Sequence, residues 1–153
     1  GGWMALLSML ALPERVKGMV LIAPAPDFTE KLMWPEFDET AKVEIMEKGQ
    51  HLRPSDYGDP YPITRALIED GKTWSILDKP IKFDGPVRIL QGMQDPDVPW
   101  QHAEKLVTAM TSQDLVFQLI KDGDHRLSRP QDIARLKATC AEIAIAVKGE
   151  TDA

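Results

Sequence analysis

The sequence predicts an α/β fold in which about three parallel strands are flanked by helices, with a small helical lid. Three short apolar runs support this prediction: residues 16–23, residues 87–90 and Leu115–Ile120. Their apolar character is typical of strands that are buried on both faces in a parallel sheet. Segments with helical spacing of apolar residues alternate with these runs, which predicts parallel strands joined by right-handed crossovers.

Length and composition favour one ordinary domain with a hydrophobic core. The chain has 153 residues, of which 43% are hydrophobic, enough to bury a core. A net charge of −6, with acids and bases interspersed, argues against nucleic acid or an anionic membrane surface as the main partner. No apolar run approaches the ~20 residues of a membrane span. The single cysteine, Cys140, excludes an internal disulfide and a CxxC metal site.

Outside residues 28–79, helices are predicted before the first strand, between the second and third strands, and after the third strand. Residues 2–12 are apolar with small side chains, which suits a buried helix. Pro99 and Pro130 each stand near the first turn of a later helix, where a missing N–H costs nothing. In the last helix, one set of residues lies near 3.6-residue spacing and is expected to pack: Ile133, Leu136, Cys140, Ile143 and Val147.

Residues 28–79 differ in pattern from the rest of the chain. They combine a charged helix candidate at residues 39–48, a proline-rich loop at residues 53–62 and a second helix candidate from residue 63 to about residue 70. No strand-type alternation is evident. We therefore expect residues 28–79 to be a lid or cap insertion within a single incomplete domain spanning residues 1–153. Trp34 lies in this segment and is a candidate for lining a substrate pocket, since lids supply apolar pocket walls.

Two polar segments follow the second and third strands. They are GMQDPDVPW at residues 92–100, with Asp95, and GDHR at residues 123–126, with His125. Because the carboxyl ends of parallel strands meet at one edge of a sheet, we expect Asp95 and His125 to lie close together. A carboxylate that holds one imidazole nitrogen makes the other nitrogen a general base, and an unperturbed histidine pKa of ~6.5 suits proton transfer near neutral pH.

Asp97 and Asp124 remain alternatives to Asp95 as the partner of His125. Asp97 lies in the same loop as Asp95, whereas Asp124 adjoins His125, and adjacent side chains in an extended loop point apart. His51 and His102 are predicted to be exposed surface residues. The histidine spacing matches no HxxxH or HExxH motif, and no glycine-rich phosphate loop is present, so neither a metal nor a nucleotide cofactor is predicted.

These segments resemble the α/β-hydrolase family. In that family a strand leads into G-x-S-x-G, a sharp turn that presents the nucleophilic serine, and then into a buried helix. GGWMALL at residues 1–7 resembles the end of that motif and the helix after it. GMQDPDVP at residues 92–99 resembles the family's G-x-x-D-x-x-V-P acid loop, which gives the acid role to Asp95, and DHR at residues 124–126 resembles its histidine loop.

A closer resemblance joins GGW, GMQD, VPW and DHR. Together they look like the branch of depalmitoylating acyl-protein thioesterases and acyl-glucuronide esterases, known from mitochondria and bacteria. The resemblance implies the C-terminal portion of an α/β-hydrolase sheet and a serine hydrolase that acts on a small acyl ester or thioester without a cofactor. It also implies a cytoplasmic location in a bacterium or a mitochondrial one in a eukaryote.

The resemblance further implies that the nucleophile is outside this chain. If Gly1 closes the motif, then Gly1 and Gly2 belong to the nucleophile elbow and the serine lies two positions before Gly1. Ser8, Ser55 and Ser128 lie away from any strand-to-helix elbow. We therefore expect the chain alone to be inactive, with Asp95 and His125 as its catalytic residues. A prolyl-oligopeptidase-type serine peptidase and a non-catalytic binding relative are the alternatives.

Overall fold

A computed structural model describes residues 1–55 and 58–151 of the chain. Its helices and strands follow in this order: α1 (Gly2–Ala11), β1 (Met19–Ile22), α2 (Trp34–Glu36), α3 (Glu39–Val43), β2 (Gln50–Ser55), β3 (Gly58–Thr64), α4 (Arg65–Thr73), β4 (Val87–Gly92), α5 (Trp100–Ala109), β5 (Leu115–Ile120) and α6 (Pro130–Thr151). The chain divides into two compact units. Gly1–Pro26 and Ile76–Ala153 form the first, here called the sheet unit, and Asp27–Ser75 forms the second, here called the insert unit.

A parallel sheet organises the sheet unit. Within the described residues it has three strands in the order β1–β4–β5, with Met19 opposite Val87 and Val87 opposite Leu115. The central strand β4 is buried along its whole length, because a middle strand of a parallel sheet is covered on both faces. The expected α/β fold with about three parallel strands and flanking helices is confirmed.

Apolar side chains from α1 and α5 contribute to the core around this sheet. Leu6 and Met9 of α1 and Leu106 of α5 are each 0% exposed. They join a single cluster whose other buried members are Met19, Leu21, Ile81, Phe83, Val87, Ile89, Ala103 and Met110. Burial of a large aliphatic side chain contributes about 1.5–3 kcal/mol, so this cluster is the main source of stability for the sheet unit.

Among the described helices, none is both long and apolar enough to cross a membrane.

Helix α6 packs with only part of the predicted set of residues. Thr139 and Ile143 are buried, whereas Ile133 is 38% exposed and Cys140 is exposed. Gly18 explains the position of Ile143, since a Cβ atom at Gly18 would lie only 2.8 Å from the Ile143 Cγ2 atom. The helix therefore settles where a glycine leaves room for Ile143. The expectation that Ile133 and Cys140 pack into the core was wrong.

His102 was also expected at the surface and is buried instead. It lies in the first turn of α5, is 2% exposed, and its Nε2 atom is 2.7 Å from the carbonyl oxygen of Pro26. Because a carbonyl oxygen only accepts, Nε2 carries the proton that is donated. The sequence around His102 could not predict this contact, because Pro26 is distant in the sequence.

The insert unit contains a strand pair where the sequence predicted a loop. β2 and β3 are antiparallel, with Arg53 opposite Tyr61 and Leu52 opposite Pro62. The prolines at residues 54, 60 and 62 suggested a loop over residues 53–62, but a two-stranded ribbon has open edges on both sides, where proline is tolerated. Asp56 and Tyr57 of that predicted loop lie outside the described residues. The second predicted helix consequently begins later, at Arg65.

Caps and a small core hold the insert unit together. Asp38 caps α3 by accepting from Ala41 N at 2.8 Å, and Thr64 caps α4 by accepting from Leu67 N at 3.1 Å. The buried residues of this core are Ile45, Ile63 and Ile68, against which Met33, Trp34 and Phe37 pack. Trp34 meets Phe37 edge to face at 6.4 Å between ring centroids.

His51 of the insert unit is engaged, although a solvated surface residue was expected. Its Nδ1 atom lies 2.8 Å from Glu44 Oε2, and its side chain is 26% exposed. The hydrogen bond from His51, together with Lys48, lowers the pKa of Glu44. The π-helical turn Glu44–Lys48 and the strand β2 bring these residues together.

Candidate active site

Two loops meet at the carboxyl ends of β4 and β5. The acid loop, residues 93–99, donates two main-chain hydrogen bonds of 2.9 Å: Met93 N to Ile120 O at the end of β5, and Gln94 N to Gly123 O in the histidine loop, residues 121–129. The loops lie this close because Gly92 and Gly123 have no side chains. A Cβ atom at Gly92 would lie 2.3 Å from the carbonyl oxygen of Gly123 and 2.4 Å from that of Asp124.

Replacing Gly92 with alanine should destabilise the sheet unit by about 1–3 kcal/mol, the usual cost of inserting a methyl group into a filled space. The alanine methyl group would meet main-chain atoms of Gly123 and Asp124, so the two loops would have to separate. The measurement is the free energy of unfolding in urea. Gly149→Ala is the matched control, because nothing lies within 4 Å of a Cβ atom there and alanine is the better helix former. Equal stability of G92A and wild type would contradict the close approach of the loops.

The Asp95 carboxylate is the centre of the acid loop. Its Oδ1 atom accepts hydrogen bonds from Asp97 N and Val98 N, each at 2.9 Å. Its Oδ2 atom accepts from Gln91 Nε2 at 3.0 Å and lies 2.9 Å from His125 Nδ1. The side chain is 1% exposed, so this carboxylate is held by four donors rather than by water.

His125 presents a free nitrogen on the other side of its ring. Because the Asp95 carboxylate is an acceptor, Nδ1 carries the proton and Nε2 keeps its lone pair. The His125 side chain is 42% exposed, so this lone pair is open to a reactant. Among the described residues, no hydroxyl group bonds to His125. The pair thus has the geometry that an oriented general base requires.

The two alternative acids occupy other positions. Asp124 Oδ1 accepts a hydrogen bond from Leu127 N at 2.9 Å, which turns the histidine loop back on itself. Leu127 has a φ of 44°, a left-handed conformation that this turn supports. Asp97 is exposed and contributes its main-chain N–H to Asp95. In the structure, therefore, Asp95 is the carboxylate in contact with His125.

The model for the prolyl oligopeptidase family matches residues 1–142. The chain belongs to the prolyl oligopeptidase family. The α/β-hydrolase relationship that the sequence motifs indicated is confirmed.

Relatives of this family member include a mitochondrial enzyme. The mitochondrial palmitoyl-protein thioesterase ABHD10 of mouse is 35% identical over 147 residues, which cover 94% of this chain and 48% of that protein. A solved structure of the mouse α/β hydrolase domain-containing protein 10 matches with a TM-score of 0.82 and 32% identity, over 94% of this chain and 58% of that one. A protein of Agrobacterium vitis S4, described as a candidate hydrolase, matches with a TM-score of 0.86 and 46% identity, over 94% of this chain and 57% of that one. The chain spans about half the length of the curated relatives it matches.

In this prolyl oligopeptidase family member, Arg129 closes the histidine loop. Its guanidinium binds the Asp122 carboxylate at 2.6 Å and the Asp122 carbonyl oxygen at 2.9 Å. It also binds the Asp132 carboxylate in the first turn of α6 at 2.6 Å. Hydrogen bonds from Arg129 lower the pKa of both Asp122 and Asp132. The two ends of the loop that carries His125 are therefore tied to α6.

Arg129→Met should lower the melting temperature, and the effect should disappear in acid. Because the folded pKa values of Asp122 and Asp132 lie below the unfolded value of ~3.9, the interaction stabilises above that pH and is lost as pH falls through the folded values. Thermal melts of wild type and variant at pH 7, 5 and 3 should therefore converge at the lowest pH. Lys137→Met, an exposed cation on the same helix, should leave the pH dependence unchanged. A difference between R129M and wild type that persists undiminished at pH 3 would count against this account.

Three groups at the site could in principle approach a cation. Ligand atoms of Asp95, Asp97 and His125 lie within 4.8 Å of one another. However, both oxygens of Asp95 already accept two hydrogen bonds each, and His125 Nδ1 donates one of them. A metal ion would have to displace these donors, so the arrangement favours a hydrogen-bonded pair.

The residues assigned to the nucleophile elbow lie at the start of α1. Gly1 caps the helix, and its carbonyl oxygen accepts from Ala5 N at 3.0 Å. Gly2 packs against the main chain after β1, since a Cβ atom there would lie 3.0 Å from Pro24 Cα. Ser8 is an exposed residue within α1 and Ser128 an exposed residue of the histidine loop. The side chain of Ser55 lies outside the described residues.

Sequence reasoning missed Gln91 and Arg129, both of which bear on the site. Gln91 is a polar residue near the end of an apolar strand, a pattern that could have marked it as a buried hydrogen-bonding group. Arg129 stands three residues before Asp132 at a helix start, and an acid in the first turn of a helix is a usual partner for such a cation. Neither pattern alone indicates which loop the side chain holds.

Proposed function

We propose that this chain supplies the general base and its orienting acid to a serine hydrolase that cleaves carboxylic esters or thioesters. The observation that supports this most directly is the 2.9 Å contact between Asp95 Oδ2 and His125 Nδ1, with Asp95 buried and His125 open. Family membership is consistent with it. Asp95 and His125 are the proposed catalytic residues, with Gly1 and Gly2 at the nucleophile elbow.

The proposed reaction proceeds by acyl transfer. His125 Nε2 takes the proton of the serine hydroxyl as the serine oxygen bonds to the acyl carbon. The imidazolium that forms is stabilised by the Asp95 carboxylate. The imidazolium then gives its proton to the leaving alcohol or thiol as the bond between the acyl carbon and the leaving oxygen or sulfur breaks. A water molecule, deprotonated by the same nitrogen, then bonds to the acyl carbon. The bond between that carbon and the serine oxygen breaks, and the imidazolium returns the proton to the serine.

The serine itself is proposed to lie outside these 153 residues, in a segment before Gly1. The chain's coverage of about half of its curated relatives leaves room for such a segment. We refer to this chain joined to that segment as the complete enzyme. The chain alone is proposed to be inactive, because without the nucleophilic serine no acyl-enzyme can form.

The relatives suggest the substrate class. The mouse relative is named a palmitoyl-protein thioesterase, which supports an acyl thioester or ester as substrate here. The insert unit, Asp27–Ser75, is proposed to be the lid expected at residues 28–79, with Trp34 as a pocket residue. The curated relatives are named as mitochondrial, which supports a mitochondrial location if the source is a eukaryote; a bacterial source would place it in the cytoplasm.

Turnover of a chromogenic short-chain ester and of an acyl thioester tests the proposal. The complete enzyme should hydrolyse both, and the chain alone neither. Measurable turnover by the chain alone that His125→Ala abolishes would show that the nucleophile is internal. Failure of the complete enzyme on both substrates would remove the esterase assignment.

A peptidase is the second candidate, because the matching family model is that of prolyl oligopeptidase. Such an enzyme would use the same base and acid on an amide. Aminoacyl-proline substrates cleaved by the complete enzyme, with esters and thioesters resistant, would favour it. An upstream segment without a serine at a strand-to-helix turn would instead favour a non-catalytic binding protein.

A further inference from the structure

Gln91 lies directly behind the Asp95 carboxylate. It is the penultimate residue of β4 and is 0% exposed. Its amide nitrogen lies 3.0 Å from Asp95 Oδ2, 3.1 Å from the carbonyl oxygen of Val98 and 3.1 Å from that of Gly92. All three neighbours are acceptors, so the NH₂ end of the amide, and not its oxygen, faces the acid loop.

The hydrogen bonds of the Gln91 side chain are all made by its NH₂ group. The Oε1 atom of Gln91 is buried and has no hydrogen-bond partner among the described residues. An apolar side chain of similar length would fill the same space without burying an acceptor. A glutamine here is therefore explained by what its NH₂ group holds: one oxygen of Asp95 and the far end of the acid loop at Val98.

We propose that Gln91 is the positioning residue for the catalytic acid, holding Asp95 Oδ2 in line with His125 Nδ1. Asp97 N and Val98 N hold only Oδ1. Without Gln91, the oxygen that meets His125 has no second donor to fix it. The inference rests on the proposed function of the Asp95–His125 pair.

A neutral donor suits this position. A lysine or arginine behind Asp95 would place a positive charge beside the carboxylate and weaken its attraction for the imidazolium that forms during proton transfer. The amide orients the carboxylate and leaves its negative charge for His125. Removing the Gln91 amide should therefore disturb the orientation of the Asp95 carboxylate and leave its negative charge almost unchanged.

The test compares Gln91→Met with wild type in the complete enzyme. Methionine has similar length and no donor. Two readouts are needed: the nitrogen and proton NMR signals of the His125 ring, and kcat and KM for a short-chain ester. We expect the His125 Nδ1–H signal to shift or broaden, and kcat to fall about 10- to 100-fold at unchanged KM, since small misplacements of catalytic groups cost up to about 100-fold.

Gln94→Met is the matched control. Gln94 lies in the acid loop and is exposed, and among the described residues its side chain forms a hydrogen bond only with the Lys121 carbonyl oxygen, at 3.4 Å. This variant should leave both readouts unchanged. If Gln91→Met does not fold, Gln91→Leu replaces it, because leucine is likewise uncharged and has no hydrogen-bond donor. The same losses are then expected.

The outcomes separate this inference from the proposed function. An unchanged His125 signal together with an unchanged kcat in Q91M, or in Q91L where that variant is used, overturns the positioning role. A displaced His125 signal with kcat unchanged in both Gln91 and Asp95 variants leaves the positioning role standing and overturns the proposed function. A fall in kcat with an unmoved His125 signal also contradicts positioning, since the loss would then have another cause.

Discussion

His125→Ala should reduce kcat/KM of the complete enzyme by about 10⁴- to 10⁶-fold, the range seen when a base of this type is removed. The reason is that the other two histidines already have partners: His51 is bonded to Glu44 within the insert unit, and His102 is bonded to the Pro26 carbonyl oxygen. The measurement is steady-state hydrolysis of an ester and a thioester, with folding checked by circular dichroism.

Ser128→Ala is the matched control for that variant. Ser128 lies in the same loop as His125 and is exposed. It is one of the serines of this chain that could be considered as the nucleophile. It should retain full activity. A folded His125→Ala enzyme with near wild-type turnover would remove the histidine from the mechanism, and loss of activity in S128A would reassign the nucleophile.

Asp95→Asn should reduce kcat by about 10⁴-fold while leaving the fold intact. An amide can donate to His125 Nδ1 from its nitrogen, which stabilises the tautomer with the proton on Nε2, and it also removes the charge that stabilises the imidazolium. The measurement is kcat and KM across pH 5–9. Stability should fall as well, because Asp95 accepts four hydrogen bonds in a buried position.

The variants Asp97→Asn and Asp124→Asn are controls for Asp95→Asn. They make the same chemical change in the two acids that were alternatives to Asp95 before the family resemblance gave Asp95 the role. Asparagine at position 124 can still accept from Leu127 N through its oxygen. Both variants should retain activity. A loss in either one equal to that in D95N would assign the orienting role differently from the contact seen here.

The elements of the sheet unit were predictable because their signals are local. Apolar runs locate β1, β4 and β5, and prolines locate the starts of α5 and α6, so strand order and parallel direction follow from general rules of connection. The same rules place Asp95 and His125 at one edge of the sheet. Their positions after two strand ends were evident before any distance was known.

Other features depend on contacts between residues distant in the sequence. Proline content in residues 53–62 suggested a loop, and the β2–β3 pairing is decided by partners across the turn. His102 is buried because Pro26 returns to meet it. The buried face of α6 follows from the room that Gly18 leaves for Ile143. None of these partners is visible in a local pattern.

By itself, the sequence determined the α/β class, the two loops that carry an acid and a histidine, and the family motifs within them. Only the tertiary structure shows what brings Asp95, the acid that the family resemblance favoured, to 2.9 Å from His125: the close approach of Gly92 and Gly123 and the donors that surround the carboxylate. It also placed Gln91 behind the acid. Side-chain type specifies what chemistry a residue can do, whereas the packing of main chain against main chain specifies which groups come within 3 Å of one another.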